Sequence, residues 1–368
     1  MAPGQPPERR DLLDLPAERV ERELARHFRA RGLPAYRTKQ ALAWLYERDV
    51  TGFDEMTDLP VTEREAVTAA FDLATVALAT AATSDDGTVK HLWRLADGET
   101  IESVLIPSGE RLTLCMSSQA GCAMACVFCA TGWSGYRRQL TTGEIVAQFR
   151  SARRWASANG GRGITNIVFM GMGEPLANPA LQPALTLLNG AYRLGARRIT
   201  VSTVGIVPGI HELTARPEQF RLAVSLHAAD PALRAQLVPI EKKYPLPELL
   251  AALRAFDAAG GRRITFEYVL LEGVNDAPGH ARQLGELVRE FGAHVNLIPY
   301  NPVAGAVWRA SPVPRQREFA RILANTGVRA TIRGPRGRDI AAACGQLRAE
   351  HATRPPRPYL RMVQLSAR

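Results

Sequence analysis

The chain has 368 residues, 46% of them apolar and 22% charged, a globular balance with material for one large domain and a small one. No apolar run approaches the ~18 residues of a membrane span, and the first ten residues lack the apolar stretch of a secretory signal, so a cytoplasmic protein without membrane contact is expected. The net charge of +10 and a pI near 9.8 favour a polyanionic partner, nucleic acid first. Lysine occurs only at Lys39, Lys90, Lys242 and Lys243; an arginine bias of this kind also arises from a GC-rich genome.

Residues 1–10 are rich in proline and charge, and disorder is expected there. Residues 11–73 read as a small N-terminal helical domain. Apolar residues recur at helical spacing in Ala17–Arg29 and Thr38–Arg48, and Met56-Thr57-Asp58-Leu59-Pro60 precedes one more short helix. Residues 74–110 read as a β meander, with turns at Ser84-Asp85-Asp86-Gly87 and Asp97-Gly98.

From 111 to 347 strand and helix alternate. Strands are expected at Thr113–Ser117, Asn166–Met170, Ile199–Thr203, Leu222–Leu226, Thr265–Leu271 and Val295–Tyr300, with helices such as Gly143–Ala156, Leu246–Ala259 and His280–Phe291. Repeated βα units imply parallel strands with right-handed crossovers. Six fall short of the eight that close a TIM barrel. The predicted fold class is therefore α/β, an open partial (βα)6 TIM-like barrel with a helical N-terminal domain and a β extension. A helix at Arg315–Asn325 leads to a strand-like Ala330–Arg333, and 348–368 is a basic tail, either solvated or set against RNA phosphates.

The chemistry centres on Cys122, Cys126 and Cys129, spaced C-x3-C-x2-C. Thiolates this close can face one point, as a metal or an iron–sulfur cluster requires. Three ligands are one short of closing a four-iron cluster, which leaves one iron open for a substrate. Cys115 could instead complete a closed structural zinc site of an RNA-binding protein. Five cysteines are too few and too odd a number for a disulfide framework. The remaining two, Cys115 and Cys344, read singly as small buried residues.

Polar residues also fall at strand ends: Gly173 and Glu174, Ser202, Ser225-Leu226-His227 and Asn301. Each could be a cap or turn residue. Parallel α/β folds bind ligands at the carboxyl ends of their strands, so together they suggest a pocket. Gly171-Met172-Gly173 is not a dinucleotide loop, because the third glycine it would need is Leu176.

The cysteine spacing, with Phe128 just before the third cysteine, resembles the radical S-adenosylmethionine (radical SAM) superfamily. Cys115-Met116-Ser117-Ser118-Gln119-Ala120-Gly121-Cys122, Gly171-Met172-Gly173-Glu174-Pro175, Ser202-Thr203-Val204-Gly205, Ser225-Leu226-His227 and Ala343-Cys344-Gly345-Gln346-Leu347 recur in order. From about Tyr36 to Leu347 the chain resembles the RlmN/Cfr family of radical SAM adenosine methyltransferases. The resemblance implies one [4Fe-4S] cluster held by Cys122, Cys126 and Cys129. It also implies two SAM molecules per turnover, bound by Gly173, Glu174, Ser202, Ser225, Leu226, His227 and Asn301.

It implies that Cys344 is first methylated, a displacement within reach of a thiolate. The methyl carbon then adds, as a radical, to an adenine carbon. Cys115 releases the product by forming a disulfide with Cys344, and Glu102 matches the family's proposed proton acceptor. The implied partners are 23S rRNA and tRNA, with an electron donor such as flavodoxin and its reductase, and the chain would act as a monomer. Met56–Pro60, Glu174-Pro175 and Arg336-Gly337-Arg338-Asp339-Ile340 favour the carbon-2 branch over the carbon-8 branch that confers antibiotic resistance. Ala341 departs from the acidic residue common there. A radical SAM enzyme that activates a protein remains a further alternative.

Overall fold

A computed structural model of the chain describes residues 9–260, 263–303 and 305–347. Most of the expected disordered start, residues 1–8, and the basic tail from 348 lie outside the described residues; Arg10 already belongs to a strand. That strand, β1 (Arg10–Asp11), introduces α1 (Ala17–Ala30), α2 (Tyr36–Tyr46) and α3 (Val61–Ala70), and β2 (Phe71–Asp72) returns to pair with it in parallel. Val20, Leu24 and Phe28 recur at helical spacing along α1, and Ala41 and Leu45 along α2. With Phe53, Met56 and Leu59 they form a core of their own.

The next three strands, β3 (Ala77–Thr83), β4 (Val89–Arg94) and β5 (Thr100–Ser108), form an antiparallel meander, turning at left-handed Gly87 and Gly98. They are not a separate bridge. β5 pairs antiparallel with β6 (Arg111–Cys115), the first barrel strand, and so the meander extends the barrel's own sheet.

A small hairpin, β7 (Gln119–Gly121) and β8 (Tyr136–Gln139), flanks the short α4 (Ala130–Ser134). Alternation then sets in: α5 (Thr142–Ala158), β9 (Asn166–Phe169), α6 (Leu181–Asn189), β10 (Ile199–Thr203), α7 (Val207–Thr214) and β11 (Arg221–Ser225). It continues through α8 (Pro231–Leu237), α9 (Leu246–Ala258), β12 (Ile264–Leu270), α10 (Pro278–Val288), β13 (His294–Pro299), α11 (Val313–Asn325) and β14 (Arg329–Ile332). The ten-stranded sheet runs β14-β13-β12-β11-β10-β9-β6-β5-β4-β3. β6 and β9 to β14 are mutually parallel, as right-handed βα units require.

The expected six strands are present within two residues of their expected bounds, and the strand-like segment near Ala330 adds a seventh at the far edge. The architecture is an open, partial barrel. The N-terminal helical unit docks on α5. Buried Asp49 faces Arg150 and Arg153, Arg153 Nη2 donates to Asp49 Oδ1 at 2.6 Å, and Arg154 donates to Glu55 at 2.9 Å.

Candidate active site

The carboxyl ends of the parallel strands enclose a cavity with about 930 Å³ of atom-free space, partly open to solvent. Cys122, Cys126, Cys129, Gly173, Glu174, Ser202, Ser225, His227 and Cys344 line it. Two expected pocket residues are placed differently. The Leu226 side chain belongs to the core, and its N–H donates to the Glu267 carbonyl at 3.0 Å. Asn301 is buried with Nδ2 donating to the Cys344 carbonyl at 3.1 Å, so it holds a loop of the wall.

The cysteine loop is shaped by its backbone. Gly121 takes the left-handed φ of +77°, and a side chain there would strike the Gly135 carbonyl. The Cys122 N–H donates to that carbonyl at 3.0 Å and the Cys129 N–H to the Cys126 carbonyl at 3.2 Å. The indoles of Trp133 and Trp308 both donate to the Val127 carbonyl, at 3.0 and 3.3 Å. With the backbone so occupied, the three thiols are left for the cavity. Burial pushes Cys122 up to about 12 and Cys126 well above a free thiol, and each of these two is raised further by the charge of Cys129. Buried Arg234, ion-paired to Glu241, acts on Cys126 in the opposite sense.

Glu174 enters the cavity from the end of β9. It follows Gly173, whose φ is +99° and whose Cβ would lie 2.5 Å from that of Gln119. The Glu174 carboxylate accepts from the N–H groups of Leu176 at 3.1 Å and Val204 at 2.8 Å; burial outweighs those bonds and pushes it up to about 7. His227 sits at φ +60°, packed edge-on to Phe128 with ring centroids 4.6 Å apart. Its Nδ1 accepts from the Val269 N–H at 3.0 Å, which fixes the Nε2–H tautomer; burial pushes its pKa down to about 3.

Cys344 is accessible within the cavity, yet the surrounding protein raises its thiol while the Arg333 guanidinium lowers it. Its loop is pinned from distant elements. The Ala130 N–H donates to the Gly345 carbonyl at 2.8 Å, Thr131 Oγ1 to the Leu347 carbonyl at 2.6 Å, and Gln346 Nε2 to the Pro302 carbonyl at 2.8 Å. Upstream, Ser84 Oγ donates to Asp339 Oδ1 at 2.6 Å, and the Gly337 N–H donates to Asp86 Oδ2 at 3.1 Å.

Cys115, buried at the end of β6, is pushed up to about 12, chiefly by burial and then by the charge of Cys344. Register pairs Cys115 with Val104, which puts Glu102, two residues along, on the same sheet face. The Glu102 carboxylate is buried and ion-paired to Lys90 Nζ at 3.2 Å. The structure thus groups Cys115 with Cys344 rather than with the triplet, and the closed zinc alternative does not gain its fourth ligand.

Sequence reasoning missed Glu267 and Tyr300, both of which line the cavity. The signal for Glu267 was available: it is the one charged residue in the apolar strand Ile264–Leu270.

The radical SAM superfamily model matches residues 116–284, and the model of the ribosomal RNA large subunit methyltransferase N-terminal domain matches residues 11–71. A "Probable dual-specificity RNA methyltransferase RlmN" of Gemmatimonas aurantiaca is 50% identical over 347 residues, 94% of this chain and 94% of that one. The "Dual-specificity RNA methyltransferase RlmN" of Anaeromyxobacter sp. (strain Fw109-5) is 46% identical over 96% of this chain and 95% of its own. The crystal structure of a radical SAM methyltransferase from Sphaerobacter thermophilus superposes with a TM-score of 0.87 at 46% identity, covering 93% of this chain and 100% of that one.

The superfamily implies a 4Fe–4S cluster and SAM. The donor set fits: three thiols of one loop open on one cavity. Among the described residues no three His, Cys, Asp or Glu side chains are spaced for a single metal ion, and a cluster distributes its thiolates over several irons. By its architecture, its cysteine loop and its relatives, this chain belongs to the RlmN family of radical SAM RNA methyltransferases.

Proposed function

We propose that this chain methylates carbon 2 of an adenosine in 23S rRNA and of the adenosine 3′-adjacent to the anticodon in tRNA, with Cys344 as methyl carrier. One observation carries the reading. Cys344 opens on the same cavity as the three-cysteine loop, while its charge reaches Cys115 on the first barrel strand.

Cys122, Cys126 and Cys129 hold the cluster, and Gly173, Glu174, Ser202, Ser225 and His227 line the SAM site. Leu226 and Asn301 support it from behind. When bound, the reduced cluster and SAM supply a carbon radical that can remove a hydrogen atom from a methyl group. Cys344 presents that methyl group as a thioether, its loop held in place by Asn301 and by the contacts of Gly345 and Leu347. The methylene carbon bonds to adenine, and Glu102, on the sheet face it shares with Cys115, takes the ring proton. Cys115 then attacks the Cys344 sulfur, and the electron pair leaves with the carbon, which is protonated to the new methyl group. The electron donor is of the flavodoxin type.

Nucleosides from 23S rRNA and tRNA of a strain lacking the modification should contain 2-methyladenosine once this gene is supplied. The appearance of 8-methyladenosine would replace the regiochemistry, and neither product with an assembled cluster would remove the substrate assignment. Cys115→Ala should trap a protein–RNA adduct on a denaturing gel, absent from Cys115→Ala/Cys344→Ala. No adduct in the single variant would overturn the roles of the two thiols.

A further inference from the structure

One carboxylate in the cavity takes no part in the steps above. Glu267 stands in mid β12, 3% exposed, and lines the cavity with Cys344. Its Oε1 accepts from Asn296 Nδ2 at 2.8 Å. Its Oε2 is buried without a hydrogen-bond partner; the nearest cation, Arg333 Nη1, stands 3.9 Å away at the end of β14. The register sets Ser225, Glu267 and Asn296 side by side on β11, β12 and β13. The carboxylate is therefore fixed, with one oxygen held and the other presented.

Buried acceptors in native proteins are nearly always paired, and an open one on a cavity wall is explained by a donor that arrives with a ligand. That donor lies near Cys344, because the Glu267 charge is among those that raise the Cys344 thiol. The groups facing it are Arg333, Asn296, Ser225 and Cys344. Resting on the reading that RNA adenine is the substrate, the base reaching Cys344 comes within the same stretch of wall. Adenine offers an amino group at carbon 6, where guanine and hypoxanthine offer an oxygen. A keto oxygen set against a carboxylate oxygen would bring two acceptors together.

We propose that Glu267 Oε2 accepts a hydrogen bond from the exocyclic amino group of the target adenine and is the residue that reads this base as adenine. SAM also contains an adenine, and the test separates the two sources. In Glu267→Gln, Asn296 continues to pin the oxygen, so the amide –NH2 takes the place of Oε2. An acceptor becomes a donor with little change of shape.

The experiment uses full-length enzyme with its cluster reconstituted and RNA carrying adenosine or inosine at the target position. Wild type should methylate adenosine roughly tenfold to hundredfold better than inosine, the range of one hydrogen bond to a charged group. Glu267→Gln should lose about that factor on adenosine and narrow or reverse the preference. S-methylation of Cys344 by SAM, read by intact mass without RNA, should stay within about twofold of wild type.

Equal wild-type rates on adenosine and inosine would overturn the proposal whether or not the variant folds. An unchanged preference in a folded Glu267→Gln would overturn it too. Loss of Cys344 methylation at limiting SAM would assign the carboxylate to SAM instead. If wild type methylates Cys344 but no RNA adenosine, the substrate reading itself fails and takes this inference with it.

Discussion

His91 shows how far burial can act on one side chain. It is fully enclosed in β4, stacked on Trp93 with centroids 4.8 Å apart and edge-on to Trp155, and neither ring nitrogen has a hydrogen-bond partner. Burial pushes its pKa down to about 4. In the unfolded chain the same ring gains a proton near pH 6.5. Between those values the unfolded state binds more protons, so stability is complete above about pH 6.5 and falls by roughly 3 kcal/mol as the pH drops to 4. His227, pushed down to about 3, acts in the same direction. Urea midpoints of His91→Leu should therefore fall less between pH 7 and pH 4.5 than those of wild type; parallel losses would rule this out. Residues of this kind were not legible in the sequence. Cysteine spacing announces itself because the chemistry needs local neighbours, whereas His91 depends on Trp155, which arrives from another element. Leu226 and Asn301 mark the same limit: the motif places them at strand ends, but only packing decides that one side chain faces the core and the other holds a loop.

Elements were legible where a period was sustained. Parallel barrel strands are covered on both faces and read as short apolar runs between turn signals, which is why their expected bounds fall so close. β14 was harder, because its four residues alternate between exposed and half-buried and read equally well as loop. Contacts between elements carry no periodic signal at all. The docking of the N-terminal unit on α5 depends on Asp49, at a left-handed φ of 53°, between Arg150 and Arg153. Asp49→Asn keeps a residue that tolerates this backbone and removes only the charge, leaving two guanidinium groups short of a counter-ion. Breaking a buried pair in this way costs about 3–5 kcal/mol. Calorimetry should show the N-terminal unit melting earlier, ahead of the barrel; an unchanged thermogram would mean that packing alone holds the interface.

Over the whole molecule, the sheet's two edge strands are β3 and β14, ten strands apart in order. They share no ladder. The segment after β14 nevertheless reaches the β3–β4 turn, where Asp339 accepts from Ser84, and Asp86 accepts from the Gly337 N–H. Asp339→Ala removes one side of this clasp. With about 1 kcal/mol per lost hydrogen bond, the segment should open roughly tenfold more often. Limited trypsinolysis should then cut faster at Arg336 and Arg338 while the barrel survives, since cleavage follows the population of the opened form. Equal cleavage rates would mean that the clasp does not restrain the segment.

That clasp has a consequence for how the fold divides its tasks. A seam zipped by a strand could part only by breaking a row of backbone hydrogen bonds, and the frame would loosen with it. Here the seam is fastened by side chains, and the fastener is the stretch of chain that bears the reactive sulfur. The carrier can be released and re-seated like a hinged gate in a standing wall, while the strands that set the positions of the cavity groups stay where they are.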